Sequence, residues 1–230
     1  MRAEIIETSL AQFQKYGIRE MSIQKLIEPL AISTKTVYKY FENKEQLLEE
    51  ALHLYHDQQF EVLKNLGTNK NSIQLFMEVW YMAVEREYRV SSIFFEDLQY
   101  YYPALKEKIE KAIAKKFTDQ FILIIRTGVA ENTFSKDVDP AIAVESIYVL
   151  LRGLTRDNRF AYLKQSPLRL LTHTIGTYVR GMCTAKGREA LDLYLPTLKP
   201  FGVSERKLVT RKLRNALIKK TEAQTSNLKH

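Results

Sequence analysis

Ser33-Thr-Lys-Thr-Val-Tyr-Lys-Tyr40 is the stretch whose residue types and spacing could act on a partner molecule. Wound as a helix, it turns Thr34, Lys35, Thr36 and Lys39 away from a stripe of Val37, Tyr40 and Phe41, which are expected in the core. Threonine can hydrogen-bond a base edge or touch a thymine methyl, and lysine can donate to guanine or to phosphate. A DNA major groove, about 12 Å wide, admits one helix with so small a polar face. Elsewhere the chemistry is thinner. His53, His56 and Asp57 stand at i, i+3 and i+4, which could hold part of a metal site. No fourth ligand accompanies them, so a solvated helix face is expected and no metal. Cys183 is the single cysteine, which excludes an internal disulfide and a multi-cysteine zinc site. The sequence shows no nucleophile–base pair, no glycine-rich phosphate loop and no metal-protease helix motif. Neither an enzyme nor a cofactor is expected.

The elements that must position these residues are helices. Apolar residues recur at three- and four-residue spacing through most of the 230 residues, with 8 glycines and 6 prolines as punctuation. Ile5, Ile6, Leu10 and Phe13 form a stripe that Gly17 should close. Ser22 can cap a short second helix carrying Ile23, Leu26 and Ile27, and Ser33 a third. Leu47, Leu48, Ala51, Leu52 and Tyr55 mark a longer fourth. Further on, apolar periodicity predicts helices from Ser72 to about Arg89 and from Pro103 to near Gly128, with a short aromatic segment between. Asp139-Pro140 and Ser166-Pro167 each pair a capping side chain with proline at the first helical position, launching helices over 140–163 and 167–183. The fold class is all-α.

Composition narrows the function classes. Hydrophobic residues at 45% and charged residues at 27% fit a soluble globular chain, and no apolar run approaches the roughly 18–20 residues of a membrane span. The N-terminus carries acids through its apolar positions, so no secretory signal is expected, and the cytoplasm is the default compartment. Of the net charge of +8, residues 1–50 contribute −1 and residues 199–230 contribute +7. The basic character is therefore a property of the C-terminal end.

Residues 5–48 resemble the N-terminal domain of the tetracycline-repressor (TetR) family of bacterial transcriptional regulators. The resemblance rests on Ile5-Ile6, Leu10, Phe13, Gly17, Ser22-Ile23 and Leu26. It is strongest in Ser33-x-x-Thr-Val-Tyr38-x-Tyr40-Phe41-x-Asn-Lys44-Glu45-x-Leu47-Leu48. It implies a helix-turn-helix in which Thr34, Lys35 and Thr36 contact bases, Tyr38 and Lys44 contact phosphate, and Ser22 caps a helix facing phosphate. Lys39 stands where many relatives have histidine. Ala31 replaces the glycine usual in the turn, so the chain must avoid a left-handed conformation there or hold a strained one. Pro29 predicts that the second helix ends early or bends.

The resemblance further implies a palindromic double-stranded operator, a homodimer and a small-molecule effector. Val144, Ile147 and Leu151 on one helix, with Leu168, Leu171, Ile175 and Tyr178 on another, are candidates for the dimer interface. The middle of the chain is rich in aromatics, and Trp80, Tyr81, Phe94, Tyr101, Phe117 and Phe121 are candidates for a ligand pocket. The expected organisation is a DNA-binding head at 1–46, a helical ligand-binding and dimerisation domain at 47–203, and a basic tail at 204–230. The function expected is a homodimeric repressor released from its operator by a small ligand. A helical small-molecule carrier or interaction protein, whose head no longer binds DNA, stays open at this point.

Overall fold

The structure is a computed structural model that describes residues 1–65, 70–157 and 159–201. The basic tail at 204–230 lies outside the described residues. Among these residues the chain forms eleven α-helices, three single turns of 3-10 helix, and no strand.

Helix α1 (Arg2–Tyr16) buries Ile5, Ile6, Leu10 and Phe13 and stops at Gly17. Gly17 has φ 86°, where side chains are strained, and a Cβ there would lie 2.6 Å from Ile93 and 2.8 Å from the Asp97 carboxylate. Ser22 Oγ accepts from the Lys25 amide and starts α2 (Ile23–Ile27). Pro29 then forces a single 3-10 turn over Glu28–Leu30, so α2 does end early. Ala31 takes the strained alternative, at φ 52° and ψ 33°, a conformation that costs an alanine about 1–2 kcal/mol.

Ser33 caps α3 (Thr34–Val37), which is only one turn long. Beyond Val37 the bonds tighten: the Lys39 amide donates to Thr36 O and the Tyr40 amide to Val37 O. That tightening carries Tyr40 off the stripe. It was expected in the core with Phe41, yet it is 41% exposed while Phe41 is buried. Asn43 starts the long α4 (Lys44–Asn65), its side chain accepting from the Gln46 amide at 2.9 Å.

An Asn71–Gln74 capping box opens α5 (Ser72–Arg89), followed by α6 (Ser92–Tyr101) and α7 (Pro103–Ala130). Asp139 accepts two amides and starts α8 (Pro140–Thr155), which stops well short of residue 163. The single helix expected over 167–183 is two, α9 (Pro167–His173) and α10 (Ile175–Met182). The break falls at Thr174, whose hydroxyl donates to the Leu170 carbonyl oxygen at 2.6 Å, a local bond of the kind that bends helices. The sequence reading contained no helix for α11 (Ala185–Tyr194). Its start rests on Thr184 accepting from the Gly187 amide, and it lies so close to the 133 backbone that a Cβ on Gly187 would sit 1.9 Å from the Thr133 carbonyl oxygen.

Two apolar cores result. One is built by α1–α4 together with Val90, Phe94, Phe95 and Leu98 from the α6 region and Leu105 and Ile109 of α7. The other gathers α5, the rest of α7 and α8–α11 around Phe76, Trp80 and Phe121. No described helix is long and apolar enough to cross a membrane.

Candidate nucleic-acid interface and internal cavity

Val37 is completely buried and anchors α3, leaving Thr34, Lys35, Tyr38 and Lys39 exposed and Thr36 half-exposed on one face. Thr36 Oγ1 shares a hydrogen bond with Ser33 Oγ at 3.1 Å, which fixes its direction. Tyr38 is 56% exposed, an open phenol ring on a small polar surface. Tyr40 is also exposed, a further candidate that the apolar stripe does not reveal. Ser22 is exposed, with its hydroxyl engaged in capping.

Lys44 departs from expectation. Its ammonium points inward, donating to Ile18 O at 2.5 Å and to Arg19 O at 3.5 Å. Burial lowers its pKa, against the raising influence of Asp97 and Glu20. The acceptors are carbonyls freed where α1 ends, and nothing at positions 43–48 signals them.

The α1–α2 loop is held from the other side by Asp97 of α6, which is buried and accepts the Ile18 and Arg19 amides at 2.8 Å each. Arg19 also donates to the Tyr101 hydroxyl at 2.6 Å, and the Ser91 amide to Gln14 O at 2.8 Å. One short helix and its capping residue thus grip the head through backbone groups and the Arg19 side chain.

Behind α6 lies a cavity of about 510 Å³, walled by α4, α5, α6, α7 and α8. Of the pocket candidates, Trp80, Phe94, Phe117 and Phe121 line this cavity, together with Phe95 and Tyr148. Tyr81 and Tyr101 do not. Tyr81 is turned about 100° from Trp80 along the helix, and its hydroxyl donates to Lys199 O beside the Phe201 ring. Tyr101 lies at the surface against Arg19. Trp80 stacks on Phe121 at 4.4 Å, with Tyr148 edge-on to it at 5.3 Å.

Charged groups share the wall. Buried Glu87 accepts from Arg156 Nη2 at 2.5 Å and from Nε at 3.2 Å. His56, expected on a solvated face, lines the cavity instead, and burial pushes its pKa down to about 4. It is therefore neutral at pH 7. Because the folded state resists the proton, His56 supports stability fully above about pH 6.5 and loses that contribution as pH falls towards 4. His56→Gln is expected to flatten the decline of Tm across that window in thermal melts. Among the described residues no group of three acidic, His or Cys side chains could hold a metal ion.

The candidate dimer residues point the wrong way. Val144, Ile147, Leu151, Leu171 and Ile175 are buried in the protomer's own core, and Leu168 and Tyr178 pack half-buried against it. An apolar stripe marks the face a helix buries, whichever neighbour covers it. The open side of α8 instead carries Ile142, 65% exposed, and Val149, 70% exposed.

Residues 5–51 match the family model described as bacterial regulatory proteins, tetR family. The head, residues 5–51, is that of the TetR family. A chain with this head is a helix-turn-helix, DNA-binding transcriptional regulator, and TetR regulators are not enzymes. Among curated TetR relatives, the transcriptional repressor KstR2 of Rhodococcus jostii is 17% identical over 146 residues, covering 62% of this chain and 72% of the relative. KstR2 of Mycobacterium tuberculosis is 20% identical over 158 residues, covering 67% and 77%. Among solved structures, a TetR regulator from Haloarcula marismortui matches with a TM-score of 0.66 at 18% identity, over 80% of this chain and 98% of that one. One from Cytophaga hutchinsonii gives 0.64 at 20% identity, over 80% and 94%. These likenesses agree with the all-α fold and the N-terminal head.

Proposed function

We propose that this TetR protein is a cytoplasmic homodimeric repressor that binds a palindromic operator and leaves it when a small molecule enters the cavity. Residues 1–46 contact DNA, 47–203 hold the ligand and pair the protomers, and 204–230 are the basic tail of the sequence. Thr34, Lys35, Thr36 and Lys39 read base edges, while Tyr38 and the Ser22-capped start of α2 fix the register on phosphate. Tyr40 joins Tyr38 on the phosphate side. Lys44 contributes through the amide end of α4, because its ammonium is engaged by carbonyls. The pairing surface is the open side of α8, with Ile142 and Val149.

The observation that carries this reading is the one-turn α3, whose polar residues all face out while Val37 and Phe41 hold it down. Phe94, Phe95 and Leu98 of α6 line the cavity, and Asp97 of the same helix holds the head loop. A ligand that favours one setting of α6 therefore draws population towards one setting of the head.

Selection from a random double-stranded DNA pool is expected to enrich a palindrome. Thr36→Ala should relax preference at one position of each half-site, costing about 1–3 kcal/mol. Tyr38→Ala should weaken binding to all sequences alike, and Tyr38→Phe should isolate the hydroxyl's share. Binding that survives both alanine variants would remove the head from the mechanism.

A further inference from the structure

Among the described residues, the charges that line the cavity and are not open to solvent are matched with one exception. Arg156 meets Glu87 and, at 3.7 Å, Glu110; Lys106 meets Glu110 at 2.8 Å; Arg89 meets Glu85 at 2.8 Å. Exposed Arg152 and Glu145 stand in solvent at the rim. Arg86 is half-buried, lines the cavity, and has no carboxylate within 4.0 Å among the described residues. Its guanidinium lies 4.2 Å over the Tyr55 ring and gives one N–H to the Tyr55 carbonyl. A guanidinium carries five N–H donors in a planar fork, so the rest of the fork has no acceptor among the described side chains. Burial lowers its pKa, and the raising influence of Tyr55 and Glu87 does not offset it, which marks a charge short of compensation.

We propose that the ligand is an amphipathic monocarboxylate, its acid group paired with Arg86 and its apolar body lying along Trp80, Phe117 and Phe121. The inference rests on the reading of the cavity as the effector site and adds the ligand's chemistry. One uncompensated guanidinium balances one negative charge. A phosphate dianion would leave its second charge facing Glu85, Glu87 and Glu110, which fits the site less well. A carboxylate also matches the fork bidentately. Neutral His56 and the Tyr148 hydroxyl give the cavity further hydrogen-bonding capacity without adding charge.

Trp80 is the single tryptophan, is buried, and lines the cavity, so its emission reports occupancy. The full-length protein would be titrated with decanoate, dodecanoate and cyclohexylbutyrate, and with the primary amide and primary amine of each. Calorimetry would supply affinities, and thermal melts would verify that each variant folds. The acids are expected to change Trp80 emission and to bind about 10- to 100-fold more tightly than their amides. Arg86→Gln should erase that preference while leaving amide affinity within about threefold, and Arg86→Lys should restore part of it.

Amides or amines binding as tightly as the acids would overturn the anionic assignment alone. An acid preference that survives in Arg86→Gln would overturn the role of Arg86. If no member alters emission or melting temperature, both this inference and the effector-cavity reading fall. If the acids bind through Arg86 yet leave operator DNA bound, the effector reading falls and the carboxylate site stands.

Discussion

Replacing Glu87 with alanine is expected to destabilise the protein by about 3–5 kcal/mol. Glu87 is 2% exposed on α5 and accepts from Arg156 through two nitrogens and from the Thr155 hydroxyl, joining α5 to the end of α8. Arg156 in turn leans on Phe95 and on Glu110 of α7. Burial alone would lower the Arg156 pKa; the charge and hydrogen bonds of Glu87, helped by Tyr55 and Glu110, together more than reverse this, so the group acts as one electrostatic unit. The alanine variant would leave the guanidinium facing a cavity with its principal counter-charge gone, which is why the loss exceeds that of an ordinary hydrogen bond. Urea unfolding at pH 7 measures it. Changing both partners to methionine should recover much of the loss, because a buried pair replaced by apolar groups is often neutral. A cost below about 1 kcal/mol for Glu87→Ala would mean that water already screens the pair.

Asp97→Ala should have the second largest effect, on coupling as well as stability. The carboxylate accepts two backbone amides that lie where α1 ends, and the Ile18 site is fully enclosed. Losing a charged acceptor from two amides costs about 2–4 kcal/mol. If α6 is the route between cavity and head, the surviving folded protein should bind operator with affinity that no longer responds to ligand. The coupling free energy, obtained from operator affinity with and without saturating ligand, should shrink towards zero. A variant that is less stable but retains its full ligand response would place the coupling elsewhere, in α4 for instance.

The helix boundaries were legible because their determinants are local. Ser22, Ser33, Asp139 and Ser166 each cap a helix a few residues away, and Pro29 and Pro140 act on their immediate neighbours. What escaped was set by partners distant in the chain. Lys44 turns inward towards carbonyls 25 and 26 residues earlier, and Asp97 finds amides 78 and 79 residues earlier. Periodicity identified the stripes of α8 to α10 correctly as apolar and could say nothing about whether a second copy or the same chain covers them. Tyr40 was misplaced by a single tightened turn, and Tyr81 by one helical step from a genuine cavity residue. Arg86 carries no sequence signal at all. Its significance comes from what its neighbours do with their own charges.

The apolar packing of the head has a consequence for how such regulators can be recombined. Six residues between Val90 and Ile109 complete the first core, although the family-model match ends at residue 51 and α5 packs in the other core. A chimera spliced after residue 51 would carry the reading surface but leave Phe94, Phe95 and their neighbours behind, opening an apolar wound on both fragments. Exchange of specificity between members built this way should succeed when the grafted piece is reduced to the one-turn reading helix and its exposed face. It should fail when the seam follows the apparent edge of the N-terminal homology.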